Sequence, residues 1–497
     1  MDTKNVICRA GAGCGKTSTA IAGINLIRGK KPEFKGTSQQ EAIWDSMMSK
    51  GATDIAIVAF NKPIAEELKS KVPSGVEAST FHSMCFAAVR DAFGRVKVDN
   101  FKVDNIIDDL LGVKLRKKNP ILFHGTKKLV ELAKATLWDH VEADLVTLQS
   151  LIDYYSIELN GNVSEAIELT PKIMERCKHD TKRIDFSDMV WFVHAHDLPI
   201  HQRDLLLVDE AQDLNRLQQE IALSAGSRLI LIGDPNQSIY GFRGADCESI
   251  PRMFDILNDT DKGVNEFPLM QTFRCPQSHV ELAKKIVPEF EAYDPTREGV
   301  ISNQDSLGVP KNNSLVLCRT NAPLISEAFR LIKNGIKANI QGRDIGANIM
   351  NLIKKITDTS KFKTSEKDEI TSLLQGLDYY ADKERDRIFS ARFFSGTKLV
   401  NLEDKVSCIQ TLVDGADTIK EIEDKIKILF QDGSRDGVLL SSVHRAKGLE
   451  SDDVFILEPQ NIPHPMAKND WEVQQEINCK YVALTRSRNS LTFVDKK

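Results

Sequence analysis

Residues 6–18 read Val6-Ile7-Cys8-Arg9-Ala10-Gly11-Ala12-Gly13-Cys14-Gly15-Lys16-Thr17-Ser18 and hold the strongest structural signal in the chain. An apolar strand runs into a glycine-rich turn, and Lys16-Thr17 then opens a segment compatible with a helix. Glycines let backbone N–H groups curl around phosphate oxygens, and the positive N-terminal end of a helix attracts the same charge. The stretch therefore predicts a phosphate-binding loop. Ala10 stands where the strict pattern has glycine, and the alternative is a plain glycine-rich turn before a helix.

Two further apolar segments end in polar residues. Leu205–Val208 leads into Asp209 and Glu210, and Leu229–Ile232 leads into the polar run at 234–238. In a parallel sheet, ligands gather at the carboxyl ends of the strands. Both strand ends can therefore meet the phosphate loop at one nucleotide. By itself, an acidic pair after a strand is usually the start of a loop.

The residue types at these positions suit phosphoryl transfer. We expect Lys16 to reach the β- and γ-phosphates of ATP, and Thr17 and Asp209 to hold Mg²⁺. Glu210 is expected to orient or deprotonate the attacking water. ATP and Mg²⁺ are thus the predicted cofactors.

Composition limits the class of protein. The 497 residues correspond to roughly three domains by the usual length prior. With a formal net charge of −5, a nucleic-acid site has to be a local groove rather than a uniformly basic surface. Basic runs at Lys114–Lys118 and Lys127–Lys128 are more often solvated faces.

Nine widely spaced cysteines without a CxxC pair indicate reduced thiols. Without a signal peptide or a long apolar run, we expect a cytoplasmic protein that does not enter a membrane.

A series of short motifs runs through the chain. The segments are Ala10–Ser18, Phe60–Lys62, Thr80–Ser83, Val208–Asp213, Gly233–Ala245, Gln271–Arg274, Leu317–Asn321, Val443–Glu450 and Tyr481–Arg486. In this order they resemble the motifs of the UvrD/Rep/PcrA-like helicases of superfamily 1A. The sequences of the second and third segments are more similar to the F-box DNA helicases and phage or bacterial relatives.

The resemblance implies an α/β fold of two RecA-like P-loop domains with parallel sheets, each carrying a mainly helical insertion. The expected divisions are 1–85 with 184–262 for domain 1A, 86–183 for insertion 1B, 263–345 with 433–497 for domain 2A, and 346–432 for a reduced insertion 2B. Apolar residues repeat at helical spacing in Phe101–Leu111 and Leu129–Leu137. A stripe at Ile419, Ile422, Ile426, Leu429 and Phe430 is read as core packing.

The family also implies residue roles at the nucleotide. Gln237 would couple the γ-phosphate to the DNA site, and Arg274 and Arg486 would stabilise charge on the transferring phosphoryl group. Phe273 would stack on adenine, and Glu450 would contact the ribose. The implied catalytic set is Lys16, Glu210, Gln237, Arg274 and Arg486. The implied nucleotide contacts are Ala10, Gly11, Ala12, Gly13, Cys14, Gly15, Lys16, Thr17, Ser18, Gln39, Phe273 and Glu450.

Gln39 is included because of a displaced feature. Family members carry an adenine-reading glutamine just before the phosphate loop, where this chain has only a few residues. Thr37–Ile43 reads like that motif but follows the phosphate-loop helix. The alternative is an ordinary helix with Thr37 or Ser38 as its N-cap.

For DNA, the resemblance implies contacts from several motifs. Tyr240 and Phe242 would stack on bases, a mode that tolerates any sequence. Core packing is the alternative for these aromatics, and Arg319 has the alternative of pairing within the sheet. The implied DNA contacts are Phe60, Asn61, Lys62, Thr80, His82, Tyr240, Phe242, Arg243, Arg319, Asn321 and His444.

The expected function is that of an ATP-dependent DNA helicase or translocase, monomeric and moving 3′→5′ on single-stranded DNA and at junctions with duplex. Because the 346–432 insertion is short, a translocase that displaces proteins from DNA with little unwinding is one alternative. An RNA motor is a further alternative. A nucleotide-switched binding module without turnover is the third, and the intact catalytic set argues against it.

Overall fold

In the described part of the chain, two six-stranded parallel sheets organise the molecule, one in each half. The structure is a computed structural model in which the chain divides into two compact units, residues 1–270 and 271–497. It describes residues 4–495 apart from 49–50, 113–114, 139–146, 156, 160, 240, 242–247, 359–368, 391–395 and 431–436.

The sheet of the first unit has the order β3-β2-β6-β7-β1-β8. Its central strands are buried along their whole length, which explains why they read as continuous apolar runs. The strands of this unit, including the separate pair β4–β5, are β1 (Asn5–Ala10), β2 (Ile55–Ala59), β3 (Val76–Thr80), β4 (Lys97–Val98), β5 (Arg183–Ile184), β6 (Leu205–Asp209), β7 (Leu229–Gly233) and β8 (Val264–Leu269).

Helices connect these strands, and those between β3 and β6 in the chain share one hydrophobic core with the sheet. The predicted helical repeats are confirmed, since they fall in α5 and α7. The helices are α1 (Lys16–Ile27), α2 (Ser38–Met47), α3 (Lys62–Lys71), α4 (Phe81–Phe93), α5 (Lys102–Leu111), α6 (Leu115–Lys118), α7 (Pro120–Thr136), α8 (Leu148–Tyr154), α9 (Val163–His179), α10 (Phe186–Ala195), α11 (Arg216–Ala225) and α12 (Ser249–Asn258). Short 3₁₀ turns follow β6 and β7, at Ala211–Asp213 and Pro235–Gln237.

The second unit has a sheet of order β11-β16-β15-β12-β14-β13 and a two-stranded pair, β9–β10. Its strands are β9 (Gln271–Thr272), β10 (Glu291–Ala292), β11 (Val300–Gln304), β12 (Leu315–Cys318), β13 (Ala338–Ile340), β14 (Val438–Ser442), β15 (Ser451–Leu457) and β16 (Ser487–Val494). Its helices are α13 (Gln277–Ala283), α14 (Ala322–Lys333), α15 (Arg343–Thr357), α16 (Glu369–Ser390), α17 (Gly396–Val413), α18 (Ile419–Leu429) and α19 (Asp470–Leu484).

Helices α15 to α18 lie between β13 and β14 in the chain. The apolar stripe of α18 is buried, with Ile422 and Leu429 fully inaccessible, so its interpretation as core packing is confirmed. The predicted fold class is also confirmed: each unit is an α/β domain with a parallel sheet and additional helices.

One predicted boundary differs from the structure. The sequence places the end of domain 1A at residue 262, but β8 (Val264–Leu269) pairs with β1 along its whole length. That pairing joins residues distant in sequence and keeps β8 in the first unit, which ends at Met270. The division into four subdomains remains a prediction. None of the helices within the described ranges combines the length and apolar character that crossing a bilayer requires.

Candidate nucleotide and nucleic-acid sites

The phosphate loop joins β1 to α1 in the predicted strand–loop–helix order. Gly13 and Gly15 have φ angles of 69° and 78°, in the left-handed region that glycine adopts without steric cost. The N–H of Gly11 donates to the carbonyl of Leu269 at 2.9 Å, which ties the loop to the end of β8. Among the described residues, no side chain caps α1 at Lys16. The first turn of α1 is therefore suited to bind an anion.

Four predicted ATP-site side chains converge at this loop. Thr17 Oγ1 donates to Asp209 Oδ2 at 3.2 Å, and Lys16 Nζ lies 3.8 Å from Glu210 Oε1. Hydroxyl and carboxylate oxygens are the hard ligands that Mg²⁺ prefers. The Thr17 and Asp209 side chains therefore fit a magnesium ion, and Lys16 and Glu210 lie beside them.

The site concentrates negative charge in a buried place. Burial, followed by repulsion from Glu210, raises the pKa of Asp209 to about 6, and burial raises the pKa of Asp234 as well. Burial opposes the charged form of Lys16, yet Glu210, Asp234 and Asp209 together hold its pKa above the usual value. Three carboxylates thus face one ammonium group, and a divalent cation would offset the excess charge.

A chain of hydrogen bonds links Glu210 to Gln237. Gln212 Nε2 donates to Glu210 Oε2 at 2.5 Å, and Gln212 Oε1 accepts from the N–H of Asp234 at 2.9 Å. Asp234 Oδ2 accepts from Gln237 Nε2 at 2.6 Å. A Cβ atom on Gly233 would lie 2.5 Å from Gln212 Oε1, so glycine is needed at this strand end. The sequence motif contained Gln212, but no role was predicted for it.

Gln39 lies near the phosphate loop. Its Oε1 accepts from the N–H of Met270 at 2.8 Å, next to the strand end that bonds the loop. Thr37 is the N-cap of α2 and forms a capping box with Gln40. The segment is therefore an ordinary capped helix that also brings Gln39 toward the nucleotide loop, so the two interpretations are compatible.

In the second unit, Arg274 and Glu450 are bonded to each other. Arg274 Nε donates to Glu450 Oε2 at 2.5 Å, and its Nη1 donates to the carbonyl of Thr485 at 3.2 Å. Arg488, for which no role was predicted, donates to the other Glu450 oxygen. Although burial opposes its charge, the two arginines hold the pKa of Glu450 below the usual value. A ribose bound at Glu450 would share this carboxylate with both arginines.

Arg486 is only 1% exposed and lies at the carboxyl end of α19. Its Nε donates to the carbonyl of Val482 at 2.9 Å, and its Nη1 donates to that of Leu449 at 3.3 Å. Its Nη2 donates to Thr485 Oγ1 at 3.0 Å. The guanidinium group is therefore held by several acceptors within its own unit.

The predicted adenine-stacking residue has an aromatic neighbour. The rings of Phe273 and Tyr293 lie 4.5 Å apart with a 39° tilt, and both side chains are exposed. Arg297 donates to the carbonyl of Phe273 at 3.3 Å and to that of Arg274. Tyr293 and Arg297, which carry no motif signal, thus support the predicted nucleotide residues.

Two predicted DNA motifs follow the neighbouring strands β2 and β3. Asn61 and Thr80 cap α3 and α4 with their side chains, so both have structural roles. Lys62 is exposed, and Phe60 and His82 are half-buried. The paired ends of the two parallel strands bring these motifs to one edge of the sheet.

Beside them lies Phe186, which had no predicted role. Its ring centroid is 6.4 Å from that of His82 with a 65° angle, and 58% of the residue is exposed. Burial lowers the pKa of His82, which favours its neutral form at pH 7. Asp185 and Asp188 form a capping box around the start of α10. That capping signal is readable in the sequence and places Phe186 at an exposed helix start.

Comparison with known proteins identifies the chain's relatives. Residues 1–255 match the model of the UvrD/REP helicase N-terminal domain, and residues 325–497 match that of the UvrD-like helicase C-terminal domain. The chain belongs to the UvrD/REP helicase family. The predicted resemblance is confirmed.

Three relatives illustrate the extent of similarity within the UvrD/REP helicases. F-box DNA helicase protein 1 of Schizosaccharomyces pombe is 23% identical over 94% of this chain and 55% of that protein. F-box DNA helicase 1 of Gallus gallus is 24% identical over 92% and 46%, respectively. ATP-dependent DNA helicase PcrA of Bacillus subtilis is 22% identical over 99% and 81%. The chain spans about half the length of the two F-box relatives.

In this UvrD/REP helicase chain, two predicted DNA contacts are bonded to α19. Arg319, 7% exposed, donates to both carboxylate oxygens of Glu476 at 2.5–2.9 Å. It therefore pairs with a helix rather than within the sheet. His444 Nε2 lies 3.4 Å from Cys479 Sγ. His444, Glu476 and Cys479 could surround a metal ion, but the Arg319 charge on Glu476 opposes one.

Four predicted DNA contacts of this UvrD/REP helicase chain remain: Asn321, which the structure describes, and Tyr240, Phe242 and Arg243. Asn321 Nδ2 and its backbone N–H both donate to Asp404, each at 2.7 Å, so α17 holds this residue. Tyr240, Phe242 and Arg243 lie outside the described residues.

Proposed function

We propose that this chain is an ATP-driven DNA helicase or translocase that moves along single-stranded DNA. The observation that carries the proposal is the convergence of Lys16, Thr17, Asp209 and Glu210 at the phosphate loop. A carboxylate placed to activate water serves hydrolysis, and a binding module without turnover would not need it. Membership in a helicase family supports the coupling of hydrolysis to movement on DNA.

The proposed hydrolysis begins when phosphate oxygens draw Lys16 away from Glu210. The Glu210 carboxylate then accepts a proton from the attacking water. A bond forms between the water oxygen and the γ-phosphorus, and the bond to the bridging oxygen of ADP breaks. Mg²⁺ held by Thr17 and Asp209 would neutralise phosphate charge when bound. Gln237, bonded to Asp234, is the proposed γ-phosphate sensor.

We assign the remaining nucleotide roles to the second unit. Arg274 and Arg486 would stabilise charge on the transferring phosphoryl group, Phe273 would stack on adenine, and Glu450 would bind the ribose. The defined hydrogen bonds of both guanidinium groups support preorganised roles. Ring exposure at Phe273 supports a stacking role.

We place the DNA track of the first unit at the ends of β2 and β3. Lys62 would bind phosphate, while Phe60, His82 and the exposed Phe186 would contact bases. The proposed movement is 3′→5′ by a monomer, from single-stranded DNA toward a junction with duplex. The DNA helicases among the relatives support DNA as the substrate class.

ATP hydrolysis and unwinding on tailed duplexes test this function. Hydrolysis should be stimulated by oligo-dT more than by oligo-rU, and 3′-tailed duplexes should be separated in preference to 5′-tailed ones. Lys16→Ala provides the inactive control. Stimulation by RNA alone would favour an RNA motor, and displacement of streptavidin without strand separation would favour the protein-displacing translocase. Wild-type protein without nucleic-acid-stimulated hydrolysis would contradict the proposal.

A further inference from the structure

Gln212 lies between the two parts of the proposed hydrolysis site. Its side chain is 1% exposed, and both atoms of its amide are bonded. The amide nitrogen donates to Glu210, the proposed water-activating carboxylate. The amide oxygen accepts from Asp234, whose carboxylate holds Gln237. One side chain therefore connects the residue that would contact water with the residue that would contact the γ-phosphate.

The charges around this position explain why an amide suits it. Glu210 and Asp234 are carboxylates in a site where burial already raises the pKa of Asp234. A glutamine amide offers one donor group and one acceptor without adding charge. A glutamate at the same position would keep an acceptor for the N–H of Asp234. It would lose the donor to Glu210 and place two carboxylates in contact.

Local packing fixes the amide in this orientation. The side-chain amide oxygen Oε1 of Gln212 occupies the space that a side chain on Gly233 would fill. The turn that carries Gln212 is held from the other side, because Ser249 Oγ donates to the carbonyl of Ala211 at 2.8 Å. The Gln212 amide thus lies between the residues that follow β6 and β7 and bonds to both.

We propose that Gln212 is a positioning residue that transmits the state of Glu210 to the segment following β7. This inference rests on the proposed function. When Glu210 turns toward water, the Gln212 amide follows it and shifts the N–H of Asp234. Asp234 carries Gln237 with it, and the chain continues from Gln237 into residues predicted to contact DNA. Gln212 therefore couples hydrolysis to DNA rather than binding ATP.

The test compares Gln212→Ala and Gln212→Glu with wild type. Hydrolysis is measured without DNA and with saturating oligo-dT, together with the KM for ATP. The ratio of stimulated to basal kcat should fall by about tenfold or more in both variants, with KM changed less than about twofold. Gln219→Ala is the matched control, because Gln219 is a buried glutamine bonded to the carbonyl of Leu214. Its ratio should equal that of wild type.

A double variant separates transmission from simple support of Glu210. In a Gln237→Ala background, adding Gln212→Ala should cause no further loss of the ratio, because both residues lie on one path. Equal reduction of basal and stimulated rates, or independent losses in the double variant, would overturn the inference. Wild type without DNA stimulation would instead contradict the proposed function. Thermal unfolding checks that the variants are folded. If Gln212→Ala unfolds, the ratio of stimulated to basal kcat in the nearly isosteric Gln212→Glu variant tests the inference.

Discussion

Thr17 Oγ1 donates a hydrogen bond of 3.2 Å to Asp209 Oδ2, joining the first turn of α1 to the end of β6. Asp209 is 4% exposed, and burial with the nearby Glu210 raises its pKa to about 6. A carboxylate in this state is costly to ionise when no metal is bound. As a proposed magnesium ligand, Asp209 therefore lowers the stability of the metal-free protein at pH values above 6.

Asp209→Asn should stabilise the metal-free protein at pH 7.5. The folded-state pKa lies above the ordinary value of 3.8, so the stability contributed by Asp209 is present below pH 4 and is lost as the pH rises through 6. The neutral amide removes that loss, raising the free energy of unfolding by up to about 3 kcal/mol at ~1.4 kcal/mol per pKa unit. Urea denaturation in EDTA should show the gain at pH 7.5 and a smaller one at pH 5. An equal difference at both pH values would contradict the assignment.

Glu210→Gln should separate ATP binding from turnover. The amide cannot accept the proton of water, so kcat should fall by about 10²–10⁴-fold. Lys16 remains available to phosphate, so binding of a fluorescent ATP analogue should persist. Lys16→Ala should lose both. Retained turnover in Glu210→Gln would assign the base elsewhere.

Gln39→Ala should weaken ATP binding and reduce the preference for ATP over GTP. Gln39 lies beside the strand end that bonds the phosphate loop, and its amide has the groups needed to read adenine. Competition between the two nucleotides measures the preference. Glu41→Ala is the matched control, since Glu41 lies in the same first turn of α2 and is exposed. Unchanged nucleotide selectivity in Gln39→Ala would leave α2 as an ordinary capped helix.

Arg486→Ala should lower kcat by about 10³-fold or more, with a modest loss of ATP binding. Because the guanidinium group is buried and bonded to carbonyls, the variant should also be less stable than wild type. Phosphate release is therefore measured well below the unfolding temperature of the variant. Arg330→Ala in α14 controls for arginine loss in the same unit. A near-normal rate would remove Arg486 from the transition-state role.

Phe186→Ala should weaken binding of oligo-dT by about 5- to 150-fold, equivalent to ~1–3 kcal/mol for one base stack. Phe186→Trp should retain binding, because it keeps an aromatic face. Phe101→Ala provides the matched control, since Phe101 is also an exposed aromatic at a helix start. Fluorescence anisotropy measures the affinities. Equal affinities for Phe186→Ala and wild type would exclude a stacking role.

Local sequence signals were sufficient for much of this architecture. The phosphate loop was readable because strand, glycine turn and helix follow one another within residues 6–27. The carboxyl ends of β6 and β7 were readable because buried parallel strands appear as apolar runs. Parallel topology then brings Asp209 and Gln237 near that loop without further information.

Side-chain environments created by distant residues were not readable in the same way. Arg319 looks like any exposed motif arginine until α19 supplies Glu476, far along the chain. The end of domain 1A was misplaced because β8 is fixed by pairing with β1 rather than by its own composition. Phe186 was missed because the capping signal at Asp185 and Asp188 marks a helix start but does not place its ring beside His82, which depends on how α10 packs against α4.

The close approach of Gly233 and Gln212 makes one position depend on the other. A chain that keeps the Gln212 amide must leave position 233 without a side chain, because a Cβ atom there would lie 2.5 Å from Gln212 Oε1. Glycine is needed at 233 even without that amide, because the same Cβ atom would lie 2.8 Å from Ile250 Cδ1 and 2.9 Å from the backbone nitrogen of Gln212. The glutamine just after the acidic strand end is therefore the informative member of the pair. In an uncharacterised sequence, this glutamine would distinguish a motor with an intact internal linkage from one that retains only its nucleotide pocket.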